Sequence, residues 1–107
     1  MVKKWRLSYL PLFYDDLNEA ITYIADVLEN KEAANDLLNE TEAAIRKRLP
    51  EADEFPTYKS SRKRQNPYYT ITVKNFIVFY VFIETDKEKI MEVRRFLYKK
   101  RDYKNLL

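Results

Sequence analysis

The chain has 107 residues, of which 46% are hydrophobic, so it is long enough for one domain spanning residues 1–107 and too apolar to be disordered. It contains no cysteine, histidine or glycine, which excludes disulfides, the usual metal sites, nucleophilic triads and glycine-rich phosphate loops. We therefore predict no metal and no cofactor. Apolar runs are far shorter than the roughly 20 residues that span a bilayer, and no signal-peptide pattern opens the chain, so a cytoplasmic location without membrane contact is expected.

Charge is divided unevenly along the chain. Residues 1–57 carry 7 Lys+Arg and 12 Asp+Glu, a balance of −5, whereas residues 58–107 carry 13 and 5, a balance of +8. Such a split favours a basic face that attracts an anionic polymer or an acidic protein. The alternative is a basic surface that is only solvated.

The first half of the chain predicts a strand and two helices. Apolar and polar residues alternate over residues 3–10, as in a half-buried strand, and Pro11 ends this pattern. Apolar residues at three- and four-residue spacing then predict a helix that starts at Pro11 and runs up to Glu29 and, after Asn30 as a stop, a second helix over about 32–49, packed as a hairpin. The predicted buried positions are Phe13, Leu17, Ala20, Ile21, Ile24, Leu28, Ala34, Leu37, Leu38, Thr41, Ile45 and Leu49.

The second half predicts a loop and three strands. Residues 57–69 lack periodicity and carry the basic run Arg62, Lys63 and Arg64, which is typical of an exposed loop. Strands are predicted at 68–73, 76–83 and 89–97, and Asn75 is the residue expected to take a left-handed turn conformation. The fold class is therefore α+β, with an N-terminal strand, a helical hairpin and a three-stranded antiparallel meander in one sheet packed on the hairpin.

Two features of these strands bear on function. The middle strand is apolar on both faces, so we expect the helices to cover one face and either the C-terminal tail or a partner to cover the other. Strict alternation in the last strand puts Arg95 on the face of Met91 and Val93, and the strand then runs into a basic segment that begins at Lys99. Strand ends are common places for sites, because a rigid sheet positions side chains there.

The element order, together with four stretches of sequence, resembles the RelE/ParE family of bacterial toxins from type II toxin–antitoxin pairs. The stretches are WRLSYLP, AIRKRLPEADEFP, VKNFIVFYVF and RRFLYKKRDYKNLL. The likeness extends from the first to the last of them and so spans nearly the whole chain. The resemblance implies a small α+β toxin that a cognate antitoxin wraps, in a larger toxin–antitoxin complex. It also implies one of two activities: inhibition of DNA gyrase without recognised catalytic residues, or cleavage of messenger RNA in the ribosomal A site. A third alternative is a toxin relative that has lost its activity and acts only as a binding module.

Residue by residue, the resemblance to the RNA-cleaving members is incomplete. Where they commonly have an arginine after the aromatic residue that opens the central strand, this chain has Ile77 after Phe76. A second key arginine, close after the last strand, matches Arg101, with Lys100 beside it. Tyr103 follows at a shorter spacing than their functional tyrosine, and the histidine of several relatives is missing.

RNA cleavage would need a group to take the proton from the 2′-hydroxyl and cations to stabilise the phosphate. Arg101 and Lys100 are the candidates for the phosphate and Tyr103 for proton transfer, although an ordinary tyrosine pKa of about 10 makes it a poor base. The candidate target-binding residues are Arg62, Lys63, Arg64, Arg95, Lys99 and Tyr68, the last as a stacking platform for a base. The structural alternative is that Arg95 pairs with Glu42 or another helix acid, that the tyrosines are packing residues and that the lysines are solvated.

Overall fold

The computed structural model describes residues 3–58, 66–101 and 106–107. Strand β1 (Lys4–Tyr9) leads into helix α1 (Pro11–Thr22), which continues as a single π-helical turn (Tyr23–Val27). Helix α2 (Lys31–Arg48) ends in a 3₁₀ turn (Leu49–Glu51), and strands β2 (Tyr68–Val73), β3 (Phe76–Glu84) and β4 (Glu88–Tyr98) complete the fold. The predicted α+β class and element order are confirmed. In the part of the chain that the structure describes, no helix is both long and apolar enough to cross a membrane.

The four strands form one sheet in the order β1-β4-β3-β2. Strands β2, β3 and β4 pair antiparallel, as the predicted meander requires, and β1 joins parallel to β4. The apolar strand β3 is therefore an interior strand. β1 is shorter than β4, and their pairing ends at Tyr9 and Val93, so the last part of β4 has no strand on its outer side.

The sheet has a separate apolar cluster on each face. The helices cover the larger cluster, which includes Phe13, Leu37 and Tyr80. On the other face, Phe79, Val81, Tyr68 and Leu97 are buried under Tyr58 and the C-terminal residues Leu106 and Leu107. The expectation that something covers the second face is confirmed, and the chain's own C-terminus supplies part of that cover.

A β-bulge in β4 makes the predicted alternation wrong. Phe79 pairs with Arg95 and the next residue, Tyr80, pairs with Val93, so Arg94 is an extra residue without a partner. A bulge shifts every following side chain to the opposite face. Met91 and Val93 therefore share the helix face with Phe96, whereas Arg95 pairs opposite Phe79, on the other face.

Two turns and the burial of two leucines also differ from expectation. The first helix is stopped by Glu29 in a left-handed conformation, φ 50°, and Asn30 is the N-cap of α2, accepting a hydrogen bond from the Ala33 N–H at 3.0 Å. In the hairpin between β2 and β3, Lys74 and not Asn75 takes positive φ, because the strained position of this turn is its first central residue. Leu28 and Leu38, predicted to be buried, are exposed.

The hydroxyl of Tyr80 joins the sheet to the end of α2. It donates a hydrogen bond to the Ala52 carbonyl at 2.7 Å and accepts one from Arg48 Nη1 at 3.1 Å. Arg48 also donates to the Thr70 carbonyl at 3.2 Å and lies 3.5 Å above the centre of the Phe55 ring. Since the Tyr58 N–H bonds to the Tyr68 carbonyl, these contacts satisfy two carbonyls of β2, an edge strand that would otherwise be open to another chain.

We expect Tyr80→Phe to lower the free energy of unfolding by about 1–3 kcal/mol, because it removes one donor and leaves the buried Ala52 carbonyl without a partner. Tyr69→Phe is the matched control, since Tyr69 stacks on Tyr80 at 5.1 Å and its hydroxyl makes no such bond among the described residues. Urea unfolding of both variants checks this. Equal stability of the Tyr80→Phe variant and the wild type would contradict the assigned role.

Alkaline pH should also destabilise the fold through Tyr80. Burial raises its pKa above the ordinary value of 10.0, and the hydrogen bond and charge of Arg48 oppose this rise. The folded chain thus keeps a proton that the unfolded chain releases, so the free energy of unfolding falls as pH rises above about 10. Tyr80→Phe should weaken this pH dependence, measured by urea unfolding on both sides of that pH.

Candidate functional site

The basic end of β4 is the part of the predicted site that the structure describes. We use this name for Lys99, Lys100 and Arg101, which directly follow the last residue of the strand and are all exposed. Backbone hydrogen bonds fix the segment at both ends: the Lys99 N–H donates to the Asn75 carbonyl at 2.7 Å, and the Arg101 N–H donates to the Tyr98 carbonyl at 3.0 Å. Three cations are therefore held beside the β2–β3 turn, at one end of the sheet.

No carboxylate in the described part of the chain pairs with these three cations, whose side chains are absent from every ion pair found there. Adjacent cations without partners retain their attraction for an anion or an acidic surface. The placement of Lys100 and Arg101 at a strand end agrees with the prediction. Their roles in a reaction stay predictions.

A cleft of about 660 Å³ opens beside the basic end, between α1 and the β3–β4 strands. Phe76 and Phe96 stack face to face at 4.8 Å and line the cleft on the sheet side. Arg101 lies on one wall and Glu19 on the other. The remaining lining residues are Asp16, Ala20, Tyr23, Ile24, Leu28, Asn75 and Tyr98.

Arg95, one of the predicted binding residues, is held inside the fold. Its guanidinium donates from Nε to Asp16 Oδ2 at 2.7 Å and from Nη2 to Asp16 Oδ1 at 3.0 Å. Nη1 donates to the Leu106 carbonyl at 3.0 Å, and the Phe96 N–H donates to the same Asp16 carboxylate at 3.0 Å. The hydrogen bonds to Asp16 raise the pKa of Arg95 above its already high ordinary value.

This geometry supports the structural reading of Arg95, with Asp16 as the helix acid in place of the expected Glu42, which lies near Arg46 instead. The side chains of Arg95 and Asp16 are only 14% and 8% exposed, so the guanidinium is not free to reach a phosphate. Tyr68 is also a packing residue, 6% exposed with its ring edge-on to Phe79 at 5.9 Å. Neither residue presents the surface that target binding would need.

The other predicted residues, Arg62, Lys63, Arg64 and Tyr103, lie outside the described residues. The groove expected between the loop cations and the strand-end cations is therefore still a prediction. Within the ranges described, no group of three or more acidic side chains could hold a metal ion.

The cleft offers an apolar surface next to cations that have no carboxylate partner among the described residues. The tyrosines with resolved shifts, Tyr9 and Tyr80, lie outside the cleft and have a pKa raised by burial, which makes both poor bases near neutral pH.

Sequence reasoning missed several residues of the cleft. Asp16 and Glu19 lie early in the predicted helix, where acids are favoured by the helix dipole, so nothing in the sequence marks them as cleft residues. The predicted strand 89–97 stops one residue short of Tyr98, which is the last residue of β4. The centre of its ring lies 5.6 Å from that of Phe76. A long-range pair such as Asp16 with Arg95, 79 residues apart, has no local signal in the sequence.

Comparison with known proteins adds nothing to these observations: neither a scan against models of protein families nor a search of curated proteins finds a match. The RelE/ParE resemblance therefore stays a prediction that rests on the quoted stretches and the order of the elements.

We expect Asp16→Asn to lower the free energy of unfolding by about 3 kcal/mol, because it leaves the buried Arg95 charge without its partner. Glu92→Gln is the matched control. Glu92 pairs with Arg94 at 2.8 Å, but the arginine there is 29% exposed, so the loss should stay below about 1 kcal/mol. Denaturant unfolding compares the two variants, and similar losses in both would show that the Asp16 pair has no special weight.

Proposed function

We propose that the chain is a toxin of the RelE/ParE type, which arrests bacterial growth by binding its target through the basic end of β4. The observation that carries the proposal is the exposed set Lys99, Lys100 and Arg101 at the end of β4, for which the described residues supply no carboxylate partner. The architecture adds support, since a helical hairpin on one face of a sheet ending in an antiparallel meander is the fold that the resemblance implies.

Binding without catalysis, as in gyrase inhibition, is the mode that the residues favour. Ile77 stands where the RNA-cleaving members commonly have an arginine, and its side chain packs on the second apolar cluster. Arg95 is occupied by Asp16. Two guanidinium groups that could stabilise a phosphate are thus missing from the site, which leaves Arg101, with lysines beside it, for that task.

Ribosome-dependent cleavage of messenger RNA is the second candidate, and one observation favours it. Tyr98 is 43% exposed and lies on the same cleft as Arg101. A guanidinium next to an exposed aromatic ring suits a splayed nucleotide, because the ring stacks on the base while the cation meets the phosphate.

A cognate antitoxin is part of the proposal, and the charge of the chain is its main support. The second face of the sheet gives less support than the sequence suggested, because Leu106 and Leu107 pack on it. An acidic segment can neutralise the basic end of β4, whose three cations have no carboxylate partner among the described residues.

Replacing Lys100 and Arg101 together with Ala should abolish growth arrest on induction and leave the melting temperature nearly unchanged, since exposed substitutions usually shift stability by less than about 0.5 kcal/mol. Lys31→Ala/Lys47→Ala is the matched control: it removes two exposed helix cations and should keep full toxicity. Toxicity retained by the Lys100/Arg101 variant would end the assignment. Arg62→Ala/Arg64→Ala should act in a graded, salt-dependent way, because loop cations attract mainly at long range.

The target is decided by two assays on purified protein. Incubation with gyrase and plasmid DNA should block supercoiling in the favoured reading, whereas incubation with programmed ribosomes should leave the messenger RNA intact. Cleaved messenger RNA with unaffected gyrase would select the second candidate. Activity in neither assay, with normal growth of cells that express folded protein, would reject the toxin proposal.

A further inference from the structure

We propose that the chain self-associates as a symmetric dimer, with the helical wall of the cleft in one copy packed against the basic end of β4 in the other. This inference does not depend on the toxin proposal. It rests on the opposite charges and the exposed apolar side chains of the two walls of one cleft.

One wall of the cleft is acidic. It is formed by α1 and the π-helical turn, and residues 11–30 contain five acids and no lysine or arginine. Asp16 is neutralised by Arg95, but Glu19 lines the cleft, is exposed and takes part in no ion pair within the described chain. Asp26 and Glu29 continue the acidic surface along the turn and are also exposed.

The opposite wall is basic, because Arg101 lines it and Lys99 and Lys100 precede Arg101. None of the three has a carboxylate partner among the described residues. Glu19 and Arg101 therefore face the same cleft with opposite charges, and neither is paired across it.

Exposed apolar side chains lie on both walls. Tyr23 and Leu28 line the helical wall and are 53% and 56% exposed, and Tyr98 on the basic side is 43% exposed. Grouped exposure of large apolar residues, rimmed by charge, is typical of an interaction surface. The packing surface and the charges thus coincide.

A second copy satisfies this surface better than a partner of one charge. An acidic segment would match the basic wall but would be repelled by Glu19. A basic segment would match Glu19 but would be repelled by Arg101. In a two-fold dimer each surface patch meets itself in reverse order, so Glu19 of each copy meets the partner's Arg101. The apolar residues of both copies then fill the clefts together.

The test is sedimentation equilibrium of the purified chain over a range of concentrations at low and high salt. We expect a concentration-dependent dimer that weakens as salt rises, because the ion pairs are near the surface. Glu19→Arg and Arg101→Glu should each weaken dimerisation at least about tenfold, since like charges would then oppose each other across the interface. Lys47→Glu, a charge reversal on the exposed end of α2, is the matched control and should leave the dimer unchanged.

Mixing the two charge-reversal variants tests the proposed pairing of Glu19 with Arg101 directly. Equal amounts of the Glu19→Arg and Arg101→Glu variants should restore a heterodimer, because the introduced arginine of one copy then meets the introduced glutamate of the other, while the native pair forms on the second side. Circular dichroism checks that each variant is folded. Leu28→Asp, which places a charge on the apolar part of the helical wall, should also weaken dimerisation. A chain that stays monomeric at every concentration, a dimer that tolerates both reversals, or a mixture that fails to restore it overturns the proposal.

Discussion

The ion pair between Asp16 on α1 and Arg95 on β4 is the interaction on which the site depends. Strand β1 stops pairing with β4 at Val93, so the last residues of β4 have no neighbouring strand on that side. The Asp16 carboxylate replaces the missing strand there, since it accepts hydrogen bonds from the Phe96 N–H and from Nε and Nη2 of Arg95. One carboxylate thus satisfies a backbone donor and a buried cation, and it fixes the helix against the end of the strand.

The same pair determines what the surrounding surface can do. It uses the charge of Arg95, which leaves the three cations after Tyr98 as the free positive charge at this end of the sheet, among the residues that the structure describes. It also connects the two faces, because Arg95 reaches the Leu106 carbonyl and Leu106 covers the apolar cluster opposite the helices. The cleft between α1 and β4 is consequently a surface with an acidic and a basic wall, which suits recognition by contact.

Much of the fold could be predicted because its signals are local. Alternation marked the strands, three- and four-residue spacing marked the helices, and Pro11 marked the start of α1, where its missing N–H has no cost. The bulge at Arg94 could not be predicted in this way, since it depends on how β4 pairs with β3, and it reversed the predicted face of Arg95. Leu28 fits the helical spacing, yet the π-helical turn before it changes that spacing, and Leu28 is exposed. The site shows the same division: Lys100 and Arg101 were predicted from their position after a strand, whereas Asp16 and Glu19 acquire their roles only from distant partners.

Amide hydrogen exchange at Phe96 tests most directly whether Asp16 completes the unpaired side of β4. Register places the N–H groups of Phe96 and Tyr98 on the same side of the strand, but only that of Phe96 has the Asp16 carboxylate as a partner. We predict strong protection of the Phe96 amide, close to that of amides that exchange only when the whole chain unfolds, and fast exchange at Tyr98. Equally fast exchange at both amides would contradict the account, because the end of β4 would then be an open edge and the basic segment after it would lack a fixed position.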